Sequence, residues 1–176
     1  MRIFHAIIAG NDSYGGKCTR SIERVRNYLQ KWNMQDRIQE FDVSSATVEL
    51  AAQALNVEAA RIAKTLSYLV DGGAVLVVAA GDIRVDNRKF KDAFHTKAKM
   101  LTADQAAEMI GHTVGGVCPF GVNEGVKVYL DESLKRFETV YPAAGSSNSA
   151  IELTIPELEE LSGYTAWVDV AKEVEA

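Results

Sequence analysis

The sequence predicts a single domain of mixed α/β (α+β) class, with antiparallel hairpins rather than a regular βαβ alternation. Three observations lead to this prediction. A chain of 176 residues, 47% hydrophobic and 24% charged, has the size and composition of one globular domain with its own core. Some segments repeat apolar residues at the helical period, whereas others are short continuous apolar runs typical of buried strands. An Asp-Gly-Gly sequence joins the two strongest strand candidates, which indicates a hairpin.

Helices dominate the prediction for the first third of the chain. Ile22, Val25 and Leu29 follow the helical period, which predicts a helix over 21–32 capped by Ser21. The next predicted elements are a short strand at 37–43, a helix at 44–56 capped by Ser45 or Thr47, and a second short helix at 56–64.

The hairpin comes next, from two apolar, β-prone runs at 64–70 and 74–81. The second run, AVLVVAAG, is apolar at both odd and even positions, whereas a strand with one face in water alternates. It is therefore predicted to be a central strand that is buried on both faces.

Shorter elements are predicted for the rest of the chain. A helix should follow Asp86, and another should begin at Thr102 and stop at Gly111. The remaining predicted elements are strands at 126–131, 139–145, 149–155 and 164–170, helical turns at 132–137, and a helix at 156–163 with Pro156 in its first turn.

The N-terminus and the cysteines bear on domain organisation and compartment. Residues 1–20 are predicted to be an appendage to a domain at 21–176, because 10–16 is rich in glycine and polar residues; an ordinary edge strand is the alternative. The apolar piece at 3–9 is too short to span a membrane. Two cysteines make no disulfide framework, so a reducing cytoplasm is the expected location.

Charge is distributed unevenly along the chain. The formal net charge of −5 argues against a protein that coats nucleic acid generally. Between residues 84 and 99, however, six basic residues stand against two acidic ones, while 152–175 holds seven acidic residues and one lysine. The basic residues are Arg84, Arg88, Lys89, Lys91, Lys97 and Lys99. They form either a contact for a polyanion or an ordinary solvated helix face.

The segment GGVCPFG, Gly115 to Gly121, is a loop with a single ionisable group, the thiol of Cys118. No Gly-Lys-Ser/Thr follows it and the next residues predict a strand, so it is not a phosphate-binding loop. The thiol is either a nucleophile, which would need a basic neighbour such as His112, or a buried structural group. Histidine and cysteine spacings fit no metal site, and no dinucleotide fingerprint is present, so we expect neither a metal nor a cofactor.

Lys64 stands at the start of the first hairpin strand. It is either a surface residue whose ammonium reaches water or a fixed positive charge in an apolar pocket, suited to a phosphate or carboxylate. Its position in the sequence does not distinguish the two.

Three motifs, taken in order, resemble the YbaK/ProX family of aminoacyl-tRNA editing domains, which are related to the insertion domain of bacterial prolyl-tRNA synthetases. The motifs are ARIAKTLSYLV with its lysine, the Gly-x-x-x-Pro-x-Gly loop in GGVCPFG, and the Gly-Ser turn in PAAGSSNSAIEL. The similarity extends from about residue 21 to residue 170. It implies a twisted, barrel-like mixed sheet, largely antiparallel, wrapped by helices around one pocket.

The resemblance also implies a function and a set of site residues. The function is a trans-editing hydrolase that deacylates mischarged aminoacyl-tRNA, with tRNA for proline carrying a small non-cognate amino acid as the expected substrate; prolyl-tRNA synthetase is a further expected partner, and DNA and membranes are not. Lys64 corresponds to the family's essential lysine. The implied substrate-binding residues are Thr65, Gly115, Gly116, Cys118, Pro119, Gly121, Gly145 and Ser146. The basic segment at 84–99 becomes the candidate contact for the tRNA.

The sequence departs from the family's pattern at two positions, and two alternatives to the editing function stay open. Many relatives carry serine at the position of Cys118, and the cysteinyl-tRNA type carries an acidic residue at the position of Ala150, which puts cysteinyl specificity in doubt. A non-catalytic module that binds tRNA or a nucleotide in the same pocket would use the same residues. Cysteine-based chemistry at Cys118 would make that thiol essential.

Overall fold

The computed structural model describes residues 15–174, with side chains from residue 21 onward. Most of the predicted appendage therefore lies outside the described residues, and its boundary at residue 20 stays a prediction. Helix α1 runs without interruption from Gly15 to Leu29, so Ser21 lies inside the helix and the prediction that it caps the helix is wrong.

Five α-helices are present among residues 15–174. They are α1 (Gly15–Leu29), α2 (Val48–Leu55), α3 (Asn87–Phe94), α4 (Ala103–Met109) and α5 (Ile155–Ser162). Thr47, Asp86 and Thr102 cap the N-termini of α2, α3 and α4 through their side chains, as the sequence predicts. None of these helices combines the length and apolar character that a membrane crossing requires.

Ten strands form one large sheet and two small ones in the described part of the chain. The strands are β1 (Gln39–Glu40), β2 (Ile62–Val70), β3 (Gly73–Ala80), β4 (Ile83–Val85), β5 (Lys127–Asp131), β6 (Thr139–Pro142), β7 (Ser149–Ala150), β8 (Leu153–Thr154), β9 (Ala166–Val168) and β10 (Ala171–Glu173). The large sheet has the order β8-β6-β2-β3-β5-β9 and curls into a half-barrel; β1 pairs with β7, and β4 pairs with β10.

The pairing confirms a mixed sheet. Four of the seven described strand pairs are antiparallel, namely β1–β7, β2–β3, β4–β10 and β6–β8. The other three pairs, β2–β6, β3–β5 and β5–β9, are parallel and all belong to the large sheet. The antiparallel majority is thus narrow.

The central hairpin forms as the sequence predicts. Asp71 and Gly72 both have positive φ, 50° and 78°, which is the backbone of a type I′ turn. Strand β3 lies between β2 and β5, and Leu76 to Ala80 have no solvent exposure. Leu76 packs in the main core on one face, while Val77 packs with Phe90 on the other, so the strand is buried on both faces.

Two predicted elements differ from the structure, and the short strands β4 and β10 were not predicted. The expected helix at 56–64 is only a 3₁₀ turn at Ala59–Arg61, because Ile62 already pairs with Tyr141 on the neighbouring strand β6. The expected strand at 149–155 divides into β7 and β8, which pair with different neighbours. In both cases tertiary pairing overrides a local preference.

Candidate functional site

A cavity of about 310 Å³ opens beside strand β2. Its walls come from β2, the first turn of α2, the segment at 100–106, the glycine loop and the strands β6 and β7. The residues that line it include Lys64, Thr65, Ser67, Met100, Gly115 and Ser149.

The cavity exists because β2 lacks a continuous neighbour on one side. Strand β6 pairs with β2 only at Ile62 and Ala63, and the next contact on that side within the described chain is a single bridge between Tyr68 and Met100. The stretch between these contacts, which includes Thr65, therefore faces a gap in the sheet. Side chains from α2 and from the glycine loop close this gap without filling it.

Lys64 lies at the edge of this gap, and its ammonium is held by the backbone. Its Nζ donates to the carbonyl oxygen of Ile83 and, at 3.5 Å, to that of Gly81. Burial lowers the pKa of Lys64, while the carboxylates of Asp82 and Glu49 act in the opposite direction. Among the described residues Lys64 is the single charged residue that lines the cavity. The structure thus favours the fixed positive charge over the solvated surface residue.

Thr65 brings a hydroxyl group to the same cavity. Its Oγ1 is buried and has no hydrogen-bond partner within residues 21–174. Ser67 and Ser149, both buried, also line the cavity. A buried hydroxyl without a partner is costly, so a bound polar group would stabilise this arrangement.

The glycine loop contributes its first residue to the wall. Gly115 lines the cavity and has a φ of +90°, a conformation that side-chain-bearing residues rarely adopt. Gly116 lies behind it against the Gly-Ser turn: a Cβ atom on Gly116 would lie 2.6 Å from both the carbonyl carbon of Gly145 and the backbone nitrogen of Ser146. The two glycine-containing motifs therefore fit together backbone against backbone.

Gly145 and Ser146 support the wall rather than line it. A Cβ atom on Gly145 would lie 2.8 Å from the backbone oxygen of Ser21, so α1 packs directly on this turn. The Ser146 hydroxyl lies 2.6 Å from that of Ser149, which does reach the cavity. Neither residue lines the cavity, and the hydrogen bond from Ser146 to Ser149 connects this turn to the cavity wall.

The structure places Cys118, Pro119 and Gly121, which the resemblance implies as substrate-binding residues, outside the lining of this cavity. Cys118 has no solvent exposure and belongs to the main core, together with Phe120. Pro119 is also buried, and Gly121 packs against Tyr28 of α1. Pro119 forces an extended backbone before it, and the loop then turns inward, so this part of GGVCPFG anchors the loop in the core.

The geometry also argues against a cysteine nucleophile. His112 does approach Cys118, with 3.7 Å between Nε2 and Sγ. However, Nε2 lies 2.7 Å from the carbonyl oxygen of Phe120 and donates to it, while Nδ1 accepts from the Ser21 hydroxyl at 2.7 Å. Burial raises the pKa of the Cys118 thiol to about 12 and lowers that of His112. A neutral thiol beside a neutral imidazole is a structural pair.

The basic segment leads to the mouth of the cavity. Its six residues are exposed: Arg84 on β4, Arg88, Lys89 and Lys91 on α3, and Lys97 and Lys99 on the loop that follows. Lys89 is bound to Asp169 at 2.9 Å. The loop then continues into Met100 and Leu101, which line the cavity. Along the chain, the basic segment therefore ends at residues of the cavity wall.

Sequence reasoning missed the contribution of α2. Ser45, Thr47 and Val48 line the cavity at the start of this helix. The capping pattern locates the helix but carries no signal of what it faces. Within the described part of the chain, no three His, Cys, Asp or Glu side chains are grouped closely enough to hold a metal ion.

Comparison with known proteins gives consistent matches. Residues 43–161 match the family model of the aminoacyl-tRNA editing domain. The Bacillus subtilis protein YwhH, itself uncharacterised, is 51% identical over 156 residues, which are 88% of this chain and 99% of YwhH. The proline–tRNA ligase of Lactobacillus gasseri is 30% identical over 103 residues, 58% of this chain, and the chain spans only 18% of that enzyme's length.

A solved structure extends the likeness to the fold. It is described as that of a candidate trans-editing enzyme for prolyl-tRNA synthetase, and it matches with a TM-score of 0.78 and 29% identity. The match covers 86% of this chain and 97% of that one. The curled sheet and its helices are thus shared with that protein.

Proposed function

Since the chain belongs to the family of aminoacyl-tRNA editing domains, we propose that it is a trans-editing hydrolase that cleaves the ester between a tRNA and a wrongly attached amino acid. The cavity carries this proposal, because it brings Lys64 and Thr65 of β2 together with the distant Gly115 around one space. We further propose tRNA for proline as the substrate and prolyl-tRNA synthetase as a partner, supported by the relatives named above.

The reaction needs little chemistry from the protein. An aminoacyl ester is already activated, so its hydrolysis requires a positioned water and stabilisation of the developing oxyanion. The Gly116 N–H is engaged by the Thr113 carbonyl at 3.0 Å, so we assign the oxyanion contact to the Gly115 N–H instead. With two of its three N–H donors directed at backbone carbonyls, Lys64 has one left for the ester or the terminal phosphate.

The walls favour a small, uncharged amino acid. Ala51, Ala63, Ala143 and Ala150 line the cavity, and no acidic side chain among the described residues does so. The unpartnered Thr65 hydroxyl can accept a hydrogen bond from the α-amino group. A pocket of this kind discriminates by volume, and one methylene is worth only about 1–3 kcal/mol, which is why a separate editing site is useful.

The tRNA itself would lie along the basic segment. Arg84, Arg88, Lys91, Lys97 and Lys99 are exposed on the elements that lead to Met100. Each phosphate that these residues neutralise adds to the salt dependence of binding. Binding should therefore weaken with added salt and with charge-removing substitutions here, without a change in the amino acid that is removed.

The test is deacylation of a panel of mischarged tRNAs, with tRNA for proline among them. We expect one or more esters to be cleaved faster than in buffer, and Lys64→Ala to lose at least about 10²-fold in rate, as removal of one key hydrogen-bond donor does in other hydrolases. Lys127→Ala is the matched control, since Lys127 is exposed on β5 and away from the cavity. Saturable binding of a mischarged tRNA without turnover would identify a binding module and overturn the hydrolase.

A further inference from the structure

The turn between β3 and β4 is the main neighbour of the Lys64 ammonium. Both carbonyls that accept from Nζ flank Asp82: Gly81 lies in this turn, and Ile83, which follows it directly, is the first residue of β4. The position of the ammonium is therefore decided by the position of the turn.

Close packing holds one side of it. A Cβ atom on Gly81 would overlap the carbonyl oxygen of Ala59, so the turn lies directly against the 3₁₀ segment before β2. The Gly81 N–H also donates to the Ala60 carbonyl at 3.3 Å. Only a glycine can bring the chain this close to its neighbour.

An ion pair holds the other side. Arg136 donates to both oxygens of Asp82, from Nη1 at 2.9 Å and from Nη2 at 2.5 Å. The Nε of Arg136 donates to the Ser133 carbonyl at 2.9 Å, and the Ser133 hydroxyl accepts from the Ala80 N–H at 3.1 Å. The guanidinium thus ties Asp82 to the 3₁₀ segment that follows β5, which itself contacts the end of β3.

The same carboxylate acts on Lys64 electrostatically. The charged groups that face the ammonium are Asp82, on the turn, and Glu49, on α2, and both raise the pKa of Lys64 against the effect of burial. Arg136 in turn lowers the pKa of Asp82, so this carboxylate stays ionised. Both members of the pair are partly exposed, with side-chain accessibilities of 39% and 36%, so the pair contributes little to stability as such.

We propose that Asp82 and Arg136 are positioning residues for Lys64: their bidentate ion pair fixes the turn whose carbonyls hold the ammonium, and the Asp82 carboxylate supplies the opposite charge beside it. The inference rests on the proposed function only in that the reaction uses Lys64. Neither side chain of the pair lines the cavity.

The experiment titrates Lys64 by NMR in the ligand-free, full-length protein and measures deacylation by the same variants. Asp82→Asn removes the charge and the carboxylate geometry, so we expect the pKa of Lys64 to fall and the deacylation rate to drop at least about tenfold, within the ~10²-fold that a displacement of 1 Å can cost. Arg136→Gln leaves the Asp82 charge in place, so we expect a loss of rate without a fall in the pKa of Lys64.

The matched control is Glu132→Gln, which removes a carboxylate from the same 3₁₀ segment, where Glu132 binds Lys135 at 2.8 Å. This variant should change neither the pKa of Lys64 nor the deacylation rate. A Lys64 titration in Asp82→Asn that equals the wild type overturns the inference, as does a rate equal to wild type in both pair variants. If the wild-type protein cleaves no ester, the proposed function fails, while the NMR titration still decides whether Asp82 governs Lys64.

Discussion

The contact between the two glycine motifs makes Gly116→Ala the most direct test of how the cavity is built. The φ of Gly116 lies outside the left-handed region, so an added methyl group strains the structure through lack of space alone. Its Cβ would lie 2.6 Å from Gly145 C and Ser146 N and 2.7 Å from Gly145 O. Carbon atoms in contact are normally about 3.5–4.0 Å apart, so loop and turn must separate by about 1 Å.

The expected cost follows from this displacement. The neighbours are backbone atoms that cannot rotate away, and overpacking of this kind costs about 1–3 kcal/mol. For a chain of this size that corresponds to a fall in Tm of roughly 2–12 °C. Because Gly115 lines the cavity next to the displaced residue, a shift of about 1 Å should also reduce the deacylation rate by up to ~10²-fold.

The assay is thermal unfolding together with deacylation, and Gly73→Ala is the matched control. At Gly73 the nearest neighbour of an added Cβ is the Val70 oxygen, at an ordinary 3.6 Å. That variant should be neutral or slightly stabilised, by up to about 1 kcal/mol, since alanine restricts the unfolded chain. If Gly116→Ala unfolds at the wild-type temperature, the two motifs do not pack as described and our account of the cavity wall is wrong.

Three further predictions concern ionisable groups. Burial lowers the pKa of His112 from 6.5, so the unfolded chain takes up a proton that the native one does not; stability should fall as the pH drops below about 6.5, and urea titrations should show a flatter profile in His112→Gln. Arg37 lowers the pKa of Glu157 from 4.5 to about 2, so the stability from this pair should be present above pH 4.5 and lost toward pH 2, with Glu157→Gln removing that dependence in the same titration. In a Cys18→Ser background Cys118 should react with a thiol reagent only on unfolding, and Cys118→Ser should keep its deacylation rate; fast labelling of the native protein, or loss of that rate, would restore a role for the thiol.

Local sequence signals predicted much of the fold. The hairpin turn at Asp71-Gly72 and the caps at Thr47, Asp86 and Thr102 all formed where expected. Each depends on residues within about four positions of one another, so the information is present in a short window. The helix predicted at 56–64 failed because the pairing of Ile62 with a distant strand is not visible in such a window.

The site was predictable only in part. Lys64, Thr65 and Gly115 line the cavity, while Cys118, Pro119 and Gly121, from the same loop as Gly115, are turned into the core or against α1. Within a loop of seven residues, some can face the cavity and others the core. Which residues face which side depends on the segments that pack against the loop.

By itself the sequence determined most of the secondary-structure elements and a short set of residues able to take part in chemistry, because caps, turns and hydrophobic runs act over a few neighbours. The tertiary structure alone decided that β2 would lose its neighbour beside Thr65, that the Asp82 turn would hold the Lys64 ammonium, and that Cys118 would be buried against His112. These outcomes join segments far apart in the chain, and close packing of the whole core selects which of them meet.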